Sequence, residues 1–121
     1  MVWDKRNGGT PDDQADCELI WANQDRPERL FSHLWRGMIK ASERNEPRMH
    51  PTQKPVALYK WILENYAEKG SKIIDTHLGS GSIAIACWDM GYDLTAYEVA
   101  KEYYDNACKR LETHKAQLTL W

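Results

Sequence analysis

The stretch "SKIIDTHLGSGSIAIACWDM", residues 71–90, decides how this chain folds. "SKIID" is short and β-branched, which makes it a strand. The segment from Ser82 is apolar on every side, as a buried helix is. Between the two, Gly79 and Gly81 alternate with Ser80 and Ser82 in a loop that lets another molecule reach the backbone. Downstream, "YDLTAYEV" reads as a second strand. Ala100, Tyr103, Tyr104, Ala107, Cys108 and Leu111 then fall on one face of a final helix. Upstream, Leu58, Tyr59, Ile62, Leu63 and Tyr66 recur at helical spacing, with Thr52 as the cap and Gly70 as the stop. Strands joined by a helix run parallel with a right-handed crossover, so residues 71–115 are expected to form a βαβα unit of a doubly wound sheet.

The first part of the chain is less regular. "VWDK" and "DCELIWAN" are strand-like runs separated by the turn chemistry of "RNGGTPDDQA", and an antiparallel pair is expected. In "DRPERLFSHLW", Asp25 with Glu28 three residues on forms a capping box and Pro27 occupies the first turn, which predicts a short helix. "KASERNEPRMHPTQ" has no periodicity and should be an exposed connection.

Composition sets the outer limits. The chain has 121 residues, 42% hydrophobic and 28% charged, with a net charge of −2. That is the profile of one soluble domain and not of a polycation that binds nucleic acid by bulk charge. Charge is uneven, however: residues Arg26 to Lys54 carry +4 and the remainder −6. This stretch is either phosphate-facing or a solvated loop. The apolar runs are far shorter than the roughly 18 residues of a membrane span, and "MVWDKRNGG" lacks a signal-peptide core, so the cytoplasm is the expected location. Cys17, Cys87 and Cys108 are odd in number and widely spaced, and His33, His50, His77 and His114 form no ligand pattern. No disulfide framework and no metal site are expected. Trp21, Trp35 and Trp61 sit in apolar runs and are read as core or interface residues.

A glycine loop after the first strand of such a unit is placed to hold a cofactor. A P-loop would need GxxxxGK[ST], and no such lysine follows Gly79. A dinucleotide fold needs GxGxxG/A, which Gly79, Gly81 and Ala84 satisfy, with Glu98 at the end of the second strand as ribose partner. The same geometry serves S-adenosylmethionine. Asp75, four residues before Gly79, would repel a pyrophosphate but suits a ligand ammonium. It could equally serve only to orient the loop.

"HPTQKPVALYKWIL", followed about twenty residues later by "DTHLGSGS", resembles the DNA amino-methyltransferases of the permuted β class, especially short phage and prophage adenine-methylase-like proteins. The family form of the glycine motif is Asp-x-Phe-x-Gly-Ser-Gly, and this chain has His77 in place of the phenylalanine. The resemblance covers nearly the whole chain. It implies a Rossmann-like SAM-dependent methyltransferase fold of the α/β class with an incomplete three-layer sheet. Residues 1–49 would supply sheet-edge strands, the short helix and a variable loop, and 50–121 the cofactor-binding portion. The implied S-adenosyl-L-methionine site comprises His50, Thr52, Gln53, Lys54, Asp75, Leu78, Gly79, Ser80, Gly81, Ser82 and Glu98, and the implied substrate is DNA.

In the family, an Asp/Asn-Pro-Pro-Tyr-like tetrapeptide upstream of the matched region clamps the target amino group. This chain contains no Pro-Pro pair, so no catalytic residue is assigned to it. The strand bearing that tetrapeptide would adjoin "KIID". Its absence predicts an unpaired edge, to be filled by an upstream polypeptide, a second copy or a rearranged local strand. Finally, Gln117–Trp121 resembles the Gln-Leu-x-Leu-aromatic peptide by which bacterial DNA-processing proteins dock on the replication sliding clamp. Its alternation also suits an edge strand.

Overall fold

The computed structural model describes residues 1–9 and 13–118. They form two compact units, Met1–Glu46 and Pro47–Trp121. In the first, β1 (Val2–Asp4) pairs antiparallel with β2 (Cys17–Leu19), as the sequence suggests. The predicted helix after Asp25 does not form. Leu30–Ser32 is instead a strand, β3, parallel to β1. Val2 N–H donates to Arg29 O at 2.8 Å and His33 N–H to Asp4 O at 2.9 Å, while the buried Trp3 indole donates to His33 O at 3.2 Å. A capping box is worth only about 1 kcal/mol, which this ladder and its buried aromatic outweigh. A hairpin of β4 (Trp35–Arg36) and β5 (Ile39–Lys40) follows, turning at Gly37. Trp35 is buried here as expected, but Trp21 is fully on the surface.

The second unit holds α1 (Val56–Tyr66), β6 (Lys72–Asp75), α2 (Ser82–Met90), β7 (Asp93–Ala96) and α3 (Lys101–Leu118). β6 and β7 are parallel, in the register Lys72↔Asp93 to Asp75↔Ala96. Ile73 and Leu94 point from them into a core built on Leu63 of α1 and Ala86 and Cys87 of α2, closed by Val56, Tyr59 and Ile83. Burial of this face drives the unit's assembly, at roughly 25 cal/mol per Å² of apolar surface removed from water. A doubly wound sheet would carry helices on both faces. Here Lys72, Ile74, Asp93, Thr95 and Tyr97, on the opposite side, are exposed.

Several helix details differ from the periodicity reading. α1 is flanked by Pro55, extended and giving no side-chain cap, and by Ala67, also extended. Thr52 turns back toward His50 instead, and Gly70, at φ +84°, belongs to the turn before β6. α2 is buried through Cys87, but Trp88 and Met90 of its last turn are exposed. On α3 the buried stripe runs through Ala107 and Arg110, leaving Tyr104 and Cys108 exposed. Arg110 Nη1 donates to Ser80 O at 3.2 Å and to Ser82 Oγ at 2.8 Å, so a polar anchor fixes the rotation of this helix.

A second polar tie joins all three helices. Asp89 on α2 accepts from Lys60 Nζ of α1 and meets His114 Nε2 of α3, each at 2.6 Å. Burial by itself would push the Asp89 carboxyl up, but the hydrogen bonds from Lys60 and His114 prevail and hold it below its ordinary value. A carboxyl lowered in the folded state stabilises above its unfolded pKa and loses that contribution as pH falls through the folded one. Asp89→Asn should therefore cost about 1 kcal/mol at pH 7, discounted for its partial exposure. In urea titrations the deficit should shrink as pH drops below the usual aspartate value of about 3.9. A deficit unchanged with pH would place its cause elsewhere.

No disulfide links the cysteines. Cys87 is buried, and burial, with the nearby Asp75 charge, pushes its thiol up to about 11. Among the described residues no His/Cys/Asp/Glu group could hold a metal, and no helix is long and apolar enough to cross a membrane.

Candidate functional site

The loop between β6 and α2 is held by backbone before any side chain acts. Tyr97 N–H donates to Asp75 O and Leu78 N–H to Tyr97 O, both at 2.9 Å, which carries the strand pairing into the loop. Gly79 and Gly81 then take φ +57° and +80°, a left-handed conformation natural to glycine. Their roles diverge. A Cβ on Gly81 would stand 2.9 Å from Ala107 Cβ, so this glycine lets α3 approach. A Cβ on Gly79 would enter the space beneath the His50 ring, 3.7 Å from its carbons.

Glu98, just past the end of β7, faces the same loop. Its Oε2 accepts from Gly79 N–H at 2.8 Å and its Oε1 from Ala100 N–H at 3.0 Å. These bonds, the Ala100 bond first, hold its carboxyl below the ordinary glutamate range. A carboxylate has about four lone-pair positions, so acceptor capacity remains for a ligand hydroxyl.

The third wall comes from residues 48–54. His50 Nδ1 accepts from Thr52 N–H at 3.2 Å and lies 3.1 Å from Thr52 Oγ1. Since an amide can only donate, this contact assigns the neutral ring's proton to Nε2. The ring also packs on Tyr103, centroids 4.4 Å apart. Gln53 is buried, and its Oε1 accepts from Met49 N–H at 2.8 Å. Arg48 donates to His50 O at 3.2 Å and also to Pro51 O, which closes the turn.

These walls enclose a cavity of about 310 Å³. Of the residues singled out in the sequence, His50, Thr52, Gln53, Lys54, Leu78, Gly79, Ser80 and Glu98 line it. Asp75, Gly81 and Ser82 do not: Asp75 Oδ1 accepts from His77 N–H at 2.9 Å, and Ser82 is bound by Arg110. Tyr59 and His77 line the cavity as well, outside the motif residues. In the sequence Tyr59 belongs to the apolar helical stripe and His77 is a departure from the family motif, and neither signal points to a cavity. A more open hollow of about 440 Å³ lies beside it, lined by Arg48, Met49, His50, Pro51 and Tyr103.

The volume is at the lower end of small-molecule sites. With the glycine loop on one side and a strand-end carboxylate on the other, the cavity suits a ligand that carries hydroxyl donors.

Similarity to known proteins bears on the family and the fold. The family model described as DNA methylase matches residues 3–109. Over 112 residues, 93% of this chain, the sequence is 32% identical to the Type II methyltransferase M2.DpnII of Streptococcus pneumoniae, of which it covers 41%. It is 33% identical over 64 residues to M.HpaI of Haemophilus parainfluenzae, covering 53% of this chain and 20% of that protein. The chain thus spans about two fifths or less of the length of these relatives. Among solved structures, the M1.HpyAVI–SAM complex superposes with a TM-score of 0.64 at 23% identity, over 92% of this chain and 60% of that one. The fold is an α/β methyltransferase fold, represented here in part. By the extent of the family match, this chain belongs to the DNA methylase family.

Proposed function

We propose that this chain provides the S-adenosylmethionine-binding portion of a DNA amino-methyltransferase, with the adenine amino group as target, and that it does not transfer methyl groups by itself. The observation that carries the reading is Glu98, which grips the Gly79 and Ala100 amides at the rim of a cavity lined by the glycine loop through Leu78, Gly79 and Ser80. In this reading that carboxylate receives the ribose hydroxyls, and Thr52, Gln53 and Lys54, with His50 beside them, receive the amino-acid end. The cofactor, when bound, supplies an activated methyl group. The residues of this chain hold and orient it and keep water from one side of it; the amine to be methylated has to be brought by polypeptide carrying the clamp that this sequence lacks. Residues Arg26 to Lys54, with their +4 balance, are the part of the chain suited to DNA phosphates.

Isothermal titration of the chain with S-adenosylhomocysteine should give saturable binding at one site, and with NAD none. Binding of NAD but not of S-adenosylhomocysteine would replace the methylase reading with a dinucleotide one. The sliding-clamp reading of Gln117–Trp121 falls mostly outside the described residues, of which only Gln117 and Leu118, at the end of α3, belong to it.

A further inference from the structure

Two imidazoles, His50 and His77, face the cavity, and their surroundings treat a second proton differently. The other ionisable groups in its lining are Lys54, Tyr59 and Glu98, and the Asp75 carboxylate accepts the His77 N–H from behind. The charges of Lys54 and Glu98 offset each other, so near neutral pH it is a gain of charge on an imidazole that alters the cavity. His50 uses Nδ1 to accept the Thr52 N–H, and an amide cannot reverse its role, so a second proton there would cost that bond. His77 Nδ1 meets a hydroxyl instead, Thr76 Oγ1 at 2.8 Å. A hydroxyl turns from donor to acceptor, and the exposed His77 ring takes a second proton without losing its partner. Its charge is felt across the cavity: after the Ala100 and Gly79 amides, the imidazoles of His50 and His77 also hold the Glu98 carboxyl down. We infer that His77 is a specificity-determining residue that reads the charge on the cofactor's sulfur: as a cation it disfavours the sulfonium of S-adenosylmethionine and spares the thioether of S-adenosylhomocysteine.

The inference rests on the methylase reading above and deepens it. The two ligands share adenine, ribose and amino-acid end, so their other contacts cancel when affinities are compared. What remains is one methyl group and one positive charge. A cavity of about 310 Å³ is only about 8 Å across if spherical, within one screening length at physiological salt, so His77 acts on whatever charge it encloses. At that spacing two unit charges alter an equilibrium about twofold in bulk water, and more at the lower effective dielectric of a protein surface. Phenylalanine, which the family motif has at this position, carries no charge and makes no such distinction. In consequence the spent cofactor displaces the fresh one more readily as the medium acidifies.

Titration calorimetry of the full chain with each ligand, from about pH 8 to about pH 5.5, spans the ordinary imidazole value of about 6.5 and tests this. The dissociation constant of S-adenosylmethionine relative to that of S-adenosylhomocysteine is expected to rise roughly threefold or more as pH falls, while the latter constant changes by less than about twofold. His77→Phe should flatten the ratio, and His77→Lys should keep it high at every pH. Retained S-adenosylhomocysteine binding shows that both variants fold. A ratio that is flat in the parent, or that rises equally in His77→Phe, overturns the inference and leaves the cofactor reading standing. A rise abolished by His50→Gln but not by His77→Phe overturns it in favour of His50. Absence of binding by either ligand at every pH would sink the cofactor reading, and this inference with it.

Discussion

Gly81→Ala is expected to lower the stability of the chain by about 3 kcal/mol. Two costs combine at this position. Its φ of +80° is left-handed, which for a residue with a Cβ costs about 1–2 kcal/mol. The new methyl would also sit 2.9 Å from Ala107 Cβ and 3.3 Å from Ala107 Cα, and overpacking of this kind costs about 1–3 kcal/mol. α3 cannot retreat without loosening Arg110 from Ser80 and Ser82. Gly91→Ala provides the comparison: at φ +75° it has the same backbone strain, but nothing lies within 4 Å of its Cβ, so it should cost only about 1 kcal/mol. Urea denaturation followed by circular dichroism measures both. Equal losses at the two glycines would show that the contact with α3 contributes nothing.

Glu98→Ala is expected to weaken S-adenosylhomocysteine binding roughly 100-fold, since it removes a charged acceptor from two backbone amides and from the ligand together. Glu98→Gln keeps one acceptor oxygen and should fall between alanine and the parent. The pH dependence has a definite sign. The Ala100 and Gly79 amides hold this carboxyl below its ordinary value, so it stays ionised, and binding stays constant, from neutral pH down past the usual glutamate value of about 4.3. Its contribution is lost only as pH falls through the lowered value. Titration calorimetry across that range reads the effect. Affinity already declining between pH 7 and pH 5 would mean that another group governs the site.

Why some of this fold can be read from residues alone, and some cannot, follows from where the deciding contacts lie. Strand, glycine loop and helix from Lys72 to Met90 are adjacent in sequence, and their apolar pattern is enough to place them. The rotation of α3 is not local. Periodicity puts Tyr104 and Cys108 inward, yet the helix turns so that Ala107 meets Gly81 and Arg110 reaches Ser80 and Ser82. No hydrophobic count favours burying an arginine. The segment after Asp25 failed for a similar reason, because its ladder partner, β1, lies nearly thirty residues upstream. At the site, the Gly79 loop, the strand-end Glu98 and the segment carrying His50, Thr52, Gln53 and Lys54 stand out as motifs, and the structure gathers them around one cavity. The motif did not separate residues that face the cavity from those that brace the loop from behind. Asp75, Gly81 and Ser82 belong to the second kind, and only the positions of His77 and α3 reveal it.

The bond from Arg110 to Ser80 and Ser82 reaches the glycine loop from its rear. The turn is therefore cast before any guest arrives, and an incoming nucleoside meets a finished mould. Little motional freedom is left at that spot for capture to remove, so selectivity there is a matter of shape rather than of adjustment.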